Sequence, residues 1–224
     1  MFSPQEHFMN EHAFELHKTA CLALPSGALM LPDHAVLCVS DLHLGKAERI
    51  ARRSSFLLPP YEIAATLDKL EAEITRHRPN MVICLGDSFD DLIAAQSLAE
   101  NVHKRITTLK AGREWIWIEG NHDPGPVTLG GTHLSTLQIG SLHFRHIATA
   151  QTAEVSGHYH PKHRLAGVQR PSFLYDAERL IMPAFGTYTG GLSTASSAIR
   201  ALFPAAYTAV LTGQKAIAVP VKPL

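Results

Sequence analysis

Three apolar runs that each break off into polar residues constrain this chain more than any other feature of it. They are AVLCVSDLHLG (35–45), MVICLGDSFDD (81–91) and EWIWIEGNHD (114–123). Each reads as a buried strand that stops abruptly. Between the first two, YEIAATLDKLEAEITRH follows Pro59 and Pro60, residues well tolerated at a helix start. In it Ile63, Leu67, Leu70 and Ile74 recur at spacings of four, three and four, one face of a helix. SLAENVHKRITTLK (97–110) repeats the pattern with Leu98, Val102, Ile106 and Leu109. Strands alternating with helices predict a parallel sheet with helices on its faces.

After residue 123 the helical signal fades. SLHFRH, AEVSGHYH, SFLY, RLIMPAFG and AYTAVLTGQKAIAVP all read as strands, the last as a hairpin around Gly213. ACLALPSGALMLP (20–32) reads as another hairpin, turning at Pro25-Ser26-Gly27. The strand-rich second half needs a sheet of its own or an extension of the first. Two stacked sheets with helices outside satisfy both. No repeat, linker or low-complexity segment divides the chain, so residues 1–224 are expected to form one domain. In sheets of this kind sites form at the carboxyl ends of strands, where the polar clusters fall.

Composition narrows the classes. Hydrophobic residues make up 46% and charged residues 18%, values of a folded globular protein rather than a disordered one. No apolar stretch reaches the roughly 18 residues of a membrane span, and MFSPQEHFMNEH lacks the basic-then-apolar pattern of a secretory signal. A cytoplasmic location is the expectation. Cys21, Cys38 and Cys84 are isolated in strand-like contexts and read as reduced core cysteines. A formal net charge of zero advertises no nucleic-acid binding, although a local basic patch can do the same work.

The 14 histidines are the compositional outlier, and several stand just after apolar runs. Five segments share one grammar, an apolar run followed by ligand-type residues: Asp41-Leu42-His43, Gly86-Asp87, Gly120-Asn121-His122-Asp123, Arg145-His146 and Gly157-His158-Tyr159-His160. Asp41 and His43 are two apart, as are His158 and His160. At the end of an extended strand that spacing puts both side chains on one side. Carboxylates, imidazoles and an amide without cysteine form a mixed N/O set that suits manganese, iron or zinc. The seven candidates Asp41, His43, Asp87, Asn121, His146, His158 and His160 are too many for one tetrahedral zinc and about right for two ions. Two ions roughly 3.5–4 Å apart clamp a phosphoryl group and activate a water for in-line attack. Each fragment alone has a bland reading: a chance Asp-x-His, a structural His-x-His, a Gly-Asn-His-Asp turn. Their conjunction in one order shifts the balance.

That order resembles the signature of the calcineurin-like metallophosphoesterase superfamily: Asp-x-His, Gly-Asp, Gly-Asn-His-Asp/Glu, a lone His, then Gly-His-x-His, matched here from residue 41 to 160. The resemblance implies a four-layer α/β/β/α sandwich of two stacked mixed sheets flanked by helices. It implies two divalent metal ions, most simply Mn²⁺ with Fe or Zn as alternatives. Asp41, His43 and His160 resemble the ligands of one metal, Asn121, His146 and His158 those of the other, and Asp87 the bridging carboxylate. His122 resembles the histidine that protonates the leaving oxygen, and Asp90 the carboxylate that orients it, with Asp91 a competing neighbour. His143 and His133 compete with His146 for the lone-histidine place.

A narrower resemblance rests on Asp41-Leu42-His43-Leu44-Gly45-Lys46, the GHYHPK segment and MPAFGTYTGGL (182–192). These are similar to the ligase-associated DNA damage response endonucleases, the PdeM group. That likeness implies a phosphodiesterase or nuclease acting on DNA in a repair context, with a DNA ligase and a helicase as partners and no membrane.

Other features stay open. Lys46, Arg49, Arg52 and Arg53 follow the first motif, and Asn121, Arg52 and Arg53 are candidates for substrate contact; a solvated basic face is the plainer reading of the arginines. The same holds for Lys162, His163, Arg164 and Arg170. Trp115 and Trp117 could stack bases, but their place in a central strand favours core packing. Competing functions are hydrolysis of a nucleotide or UDP-sugar-lipid pyrophosphate, and a non-catalytic scaffold of a DNA repair complex. UDP-diacylglucosamine hydrolases resemble Gly-Asn-Arg-Asp where this chain has His122, which counts against the first. The complete ligand set counts against the second.

Overall fold

The computed structural model describes residues 10–53, 61–126 and 128–222. Two sheets face one another. The first has seven strands in sequence order: β1 (His12–Leu16), β2 (Thr19–Ala23), β3 (Leu29–Leu31), β4 (Val36–Val39), β5 (Met81–Leu85), β6 (Glu114–Ile118) and β7 (Thr132–Leu134). β1 to β4 are joined antiparallel, and β4 to β7 run parallel. The hairpin expected over 20–32 is β2–β3, closed by Leu24 N–H on Ala28 O at 2.9 Å.

The second sheet holds β8 (Thr136–Ile139), β9 (Leu142–Arg145), β10 (Glu154–Ser156), β12 (Val168–Tyr175), β13 (Arg179–Ile181), β14 (Tyr207–Leu211) and β15 (Ile217–Val221). Their order is β15-β14-β12-β13-β10-β9-β8, with β11 (Lys162–Leu165) paired to β12. The strand-rich second half therefore forms its own sheet, and only β7 extends the first.

Side-chain alternation along the strands builds the layers. On β4 to β6, Leu37, Val39, Val82, Cys84, Trp115 and Trp117 point to one side. There they meet Leu67, Leu70 and Ile74 of α2 (Glu62–His77), and Ile106 and Leu109 of α4 (Glu100–Lys110). Burial of the three α2 side chains contributes roughly 1.5–3 kcal/mol each. Val36, Cys38, Ile83, Leu85, Ile116 and Ile118 point the other way, into a core shared with Phe144, Val155, Phe173 and Leu180 of the second sheet. The outer side of that sheet is covered by Ile199 and Phe203 at and after α5 (Ser197–Leu202). Helices, sheet, sheet and helix give the α/β/β/α layering.

Several boundaries differ from expectation. α4 starts at Glu100 because Ala99 already has extended backbone (φ −61°, ψ 148°), leaving Leu98 buried in the preceding loop. RLIMPAFG is strand only over Arg179–Ile181, and AEVSGHYH only over Glu154–Ser156. Two short helices, α1 (Lys46–Arg53) and α3 (Leu92–Gln96), follow polar loops that gave no helical period. Pro59 and Pro60 lie outside the described residues. The cysteines are free and buried.

Candidate metal centre

The three parallel strands β4, β5 and β6 stop at one edge of the first sheet, and β9 and β10 stop beside it in the second. The loops that follow carry all five sequence segments. Their backbones interlock: Asp41 N–H donates to Gly86 O (3.2 Å), His43 N–H to Asp87 O (2.9 Å) and Leu44 N–H to Ser88 O (2.9 Å).

Asp41, His43 and His160 converge, one donor atom from each lying within 4.8 Å of the others. His160 Nε2 is 3.0 Å from Asp41 Oδ1 and 3.4 Å from His43 Nε2. Asp87, His146 and His158 form a second group by the same measure. His146 Nε2 lies 3.3 Å from Asp87 Oδ2 and 3.0 Å from Asn121 Oδ1. Asp87 Oδ2 is also 3.9 Å from His43 Nε2, so this carboxylate faces both groups. The structure thus brings all seven candidates together. Of the competing histidines, His133 stacks on Trp117 (centroids 6.3 Å apart) and His143 sits within β9, which leaves the lone-histidine place to His146.

The strand-end explanation of the Asp-x-His and His-x-His spacing needs correction. Asp41 (φ 53°), His43 (φ 47°), Asp87 (φ 45°), His158 (φ 68°) and His160 (φ 44°) all have left-handed backbone beyond the strand ends. Asp and His tolerate that region better than most residues. The turns send His158 and His160 to different groups instead of one side.

Asp90 also departs from expectation. Its carboxylate, fully buried, takes His43 Nδ1 at 2.9 Å and the Arg49 guanidinium. What meets His122 Nδ1, at 2.9 Å, is the Asp90 backbone carbonyl. The side chain therefore orients His43, and the main chain orients His122. Asp91, the alternative, accepts Ala94 N–H at 2.7 Å as the N-cap of α3. The sequence reading gave Asp123 no role. It accepts N–H groups of Ser88 (2.8 Å), Phe89 (3.2 Å) and Gly120 (3.0 Å), pinning the β5 loop to the β6 loop. Such a long-range clasp leaves no local sequence mark.

Burial by itself would raise the Asp87 carboxyl, but the hydrogen bond and charge of His146, the His122 N–H and the charge of His43 hold it at about 2. Burial works against the His146 imidazolium too, yet Asp87 and Asp41 raise its pKa overall. His158 is shifted down by burial and by the nearby His146. Burial pushes Asp123 up to about 6 against its three N–H donors.

These residues fit divalent cations. Asp41 and Asp87 are 0% and 2% exposed, and no Lys or Arg pairs with either among the described residues. Buried carboxylates without a cation are costly. His43 directs Nδ1 to a carboxylate and His146 directs Nδ1 to Leu85 O (3.3 Å), the outer bonds typical of histidines whose Nε2 is a ligand.

The 182–192 segment buttresses this edge. Phe185 N–H donates to Ser40 O (2.7 Å) and Gly186 N–H to Asp41 O (3.1 Å). Lys69 of α2, which the sequence reading passed over, donates to Phe185 O and lies 3.8 Å from the centre of the Phe185 ring. Arg52 and Arg53 end α1, but their side chains lie outside the described residues. Trp115 and Trp117 are each 4% exposed and belong to the core.

A model of the calcineurin-like phosphoesterase family matches residues 34–191. The chain belongs to that family, and it is a metal-dependent phosphoesterase. Among solved structures, it is similar to the Pseudomonas putida nuclease MPE, at 24% identity and a TM-score of 0.72, covering 95% of this chain and 100% of that one. A second similar structure is Yfce, a phosphoesterase from E. coli, at 15% identity and a TM-score of 0.43, covering 84% of this chain and 99% of that one. No curated protein matches by sequence.

Proposed function

We propose that this protein is a dinuclear-metal phosphodiesterase that hydrolyses nucleic acid, with DNA as substrate and repair as context. The observation that supports this best is the place of Asp87, whose Oδ2 faces His146 at 3.3 Å and His43 at 3.9 Å, one from each ligand group. Asp41, His43 and His160 would hold one ion, Asn121, His146 and His158 the other, with Asp87 shared. Manganese suits this donor set, with iron or zinc as substitutes. Bound there, the ions would supply charge to the phosphoryl oxygens and a water acidified to neutral pH.

The chain's own residues do the rest. His122 spends Nδ1 on the Asp90 carbonyl, which leaves Nε2 to give a proton to the departing oxygen. Asn121, exposed beside a 320 Å³ cleft also lined by Arg145, Ser135 and Thr136, meets the substrate phosphate. Arg52 and Arg53, at the end of α1, are proposed as further substrate contacts. The similar solved structure is named a nuclease, and we extend that activity here, together with a cytoplasmic location and a DNA ligase and helicase as partners.

The test loads the protein with Mn²⁺ and offers a chromogenic phosphodiester and end-labelled DNA and RNA oligonucleotides, with a chelator control. Turnover should vanish with chelator, and His122→Ala should lower kcat by about 10²–10⁴-fold. Metal-replete protein that cleaves only a UDP-sugar lipid, or nothing, would overturn the proposal.

A further inference from the structure

A second cavity lies apart from the metal ligands, between α5, β11 and the β14–β15 pair. It measures about 310 Å³, within the lower range of small-ligand sites. Its lining includes His163, Thr194, Arg200, Phe203, Tyr207 and Lys222, and none of the described residues around it carries a carboxylate. Phe203 and Tyr207, their ring centres 4.7 Å apart, make an apolar floor. Above it, Thr194 hydroxyl meets His163 Nδ1 at 3.0 Å and also pairs with Tyr207. Burial lowers the His163 pKa, so this ring serves as a neutral hydrogen-bonding group. Arg200 and Lys222 are exposed cations at the rim. Arg200 uses Nε and Nη2 on Ala195 O, with Nη1 unpaired among the described residues.

An apolar floor, hydroxyl and imidazole groups on one wall and two cations at the mouth match one chemistry: a nucleobase below and a phosphate above. The cavity is also wired to the metal centre. Leu192 N–H donates to Tyr159 O (3.2 Å), Lys162 N–H to Leu192 O (2.8 Å) and Thr194 N–H to Lys162 O (3.0 Å). The wall that carries Thr194 thus runs alongside the chain leaving His160. From His160 to His163 is three residues, at most about 11 Å of backbone.

We infer that this cavity is a subsite for a nucleotide of the substrate strand lying beyond the scissile phosphate, held by Arg200 and Lys222 at its phosphate and by the Phe203–Tyr207 floor at its base. The inference rests on the nucleic-acid reading above. It makes cleavage depend on strand length: oligonucleotides long enough to reach from the metals to the cavity are bound tightly, and shorter ones lose that contact.

The test compares the Mn²⁺-loaded full chain with Arg200→Glu/Lys222→Glu on single-stranded oligonucleotides of increasing length, at several salt concentrations. A chromogenic diester too small to reach the cavity is the control. The double variant should raise KM for long oligonucleotides on the order of 10-fold, with kcat retained. Loss of that phosphate contact should flatten the slope of log affinity against log salt by about 0.7. Lys222→Glu alone, at an exposed position with no partner among the described residues, should flatten it in the same direction by less than about 0.7 and keeps the test valid if charge reversal at Arg200 disturbs α5. An unchanged KM and salt slope on oligonucleotides that the parent protein cuts would overturn the subsite. If the parent protein cuts the small diester and no oligonucleotide, the nucleic-acid reading itself fails. Equal loss on the diester and the oligonucleotide would assign these residues to folding and also overturn the subsite.

Discussion

The β4 and β5 loops of the first sheet are tied to one another through their backbones, whereas the β9 and β10 loops of the second sheet reach them through side chains. The Asp41–Leu44 turn bonds the Gly86–Ser88 turn by three N–H···O contacts, and Asp90 N–H returns to Leu44 O at 3.1 Å. By contrast, His158 N–H is held by both Asp41 carboxylate oxygens (3.2 and 3.0 Å), His160 by Asp41 Oδ1 and His146 by Asp87 and Asn121. Phe185 and Gly186 bind the β13 loop to the Ser40–Asp41 backbone, but the β9 and β10 loops are registered on the first sheet by the carboxylates proposed as ligands, so those groups both set the seam and line the proposed metal site.

The comparison can be broken first at Asp87. Asn in its place keeps an acceptor for His122 N–H (2.9 Å) and removes the charge that faces both histidine groups. Losing several kcal/mol of metal-borne stabilisation corresponds to a fall in kcat/KM on the order of 10³-fold. Steady-state turnover at saturating Mn²⁺ measures it, with circular dichroism reporting an intact fold. Activity within tenfold of the parent would show that the carboxylate is not shared.

A third tie to the seam, from α2, is open to a pH test. Burial lowers the Lys69 ammonium from 10.5 to about 8, partly offset by Glu73. At this group the unfolded chain therefore binds more protons than the folded one between about pH 8 and 10.5, so the Lys69 contribution to stability rises with pH across that window, against the opposite pull of the buried Cys21, Cys38 and Cys84 thiols, which burial keeps protonated. The gain is complete above 10.5 and is lost as pH falls through about 8. It amounts to roughly 3 kcal/mol. Urea unfolding of the parent and of Lys69→Met at both ends of the window isolates it: from about pH 8 to 10.5 the parent should gain that much relative to the variant, whatever the common pull of the thiols. An identical pH response in both proteins would mean that Lys69 is well solvated.

Gly157 sharpens the contrast between the sheets. A Cβ there would overlap Ser40 Oγ and crowd Asp41 Oδ2. Gly157→Ala should push the β10 loop off the Asp41 carboxylate at a cost of about 1–3 kcal/mol, seen as a lower urea midpoint together with weaker Mn²⁺ binding by calorimetry. A stability loss with unchanged metal affinity would separate the seam from the site.

Much of this was legible in residue types. The strands β4 to β6 and the helix α2 follow from runs and spacings, because local burial sets them. The candidate ligand set follows because metal chemistry restricts which side chains could serve. Backbone conformation at the ligands was not legible, since left-handed Asp41, His43 and His160 look no different in sequence from extended ones. Nor were Lys69 and Asp123, whose partners lie 116 residues away at Phe185 and 35 residues away at Ser88. Asp91 did leave a signal, an Asp three residues before the Ala94 N–H it caps, which marks α3.

Asp90 gives the finest test, because both sheets meet at the ring it holds. His43 Nδ1 donates to Asp90 Oδ1, and His43 Nε2 lies 3.4 Å from His160 Nε2 across the seam. Asn at 90 can still accept from His43 but loses the charge that pairs with Arg49 and strengthens Nε2 as a ligand. The backbone carbonyl that meets His122 is untouched by the change. Asp90→Asn should therefore weaken Mn²⁺ binding by about 10–100-fold. At saturating metal kcat should recover, since the residue proposed to protonate the leaving group keeps its support. Measured metal-activation curves decide the matter. If saturating Mn²⁺ leaves kcat depressed while the metal affinity is unchanged, the Asp90 carboxylate acts on His122 after all, and the division of labour between its side chain and its main chain is wrong.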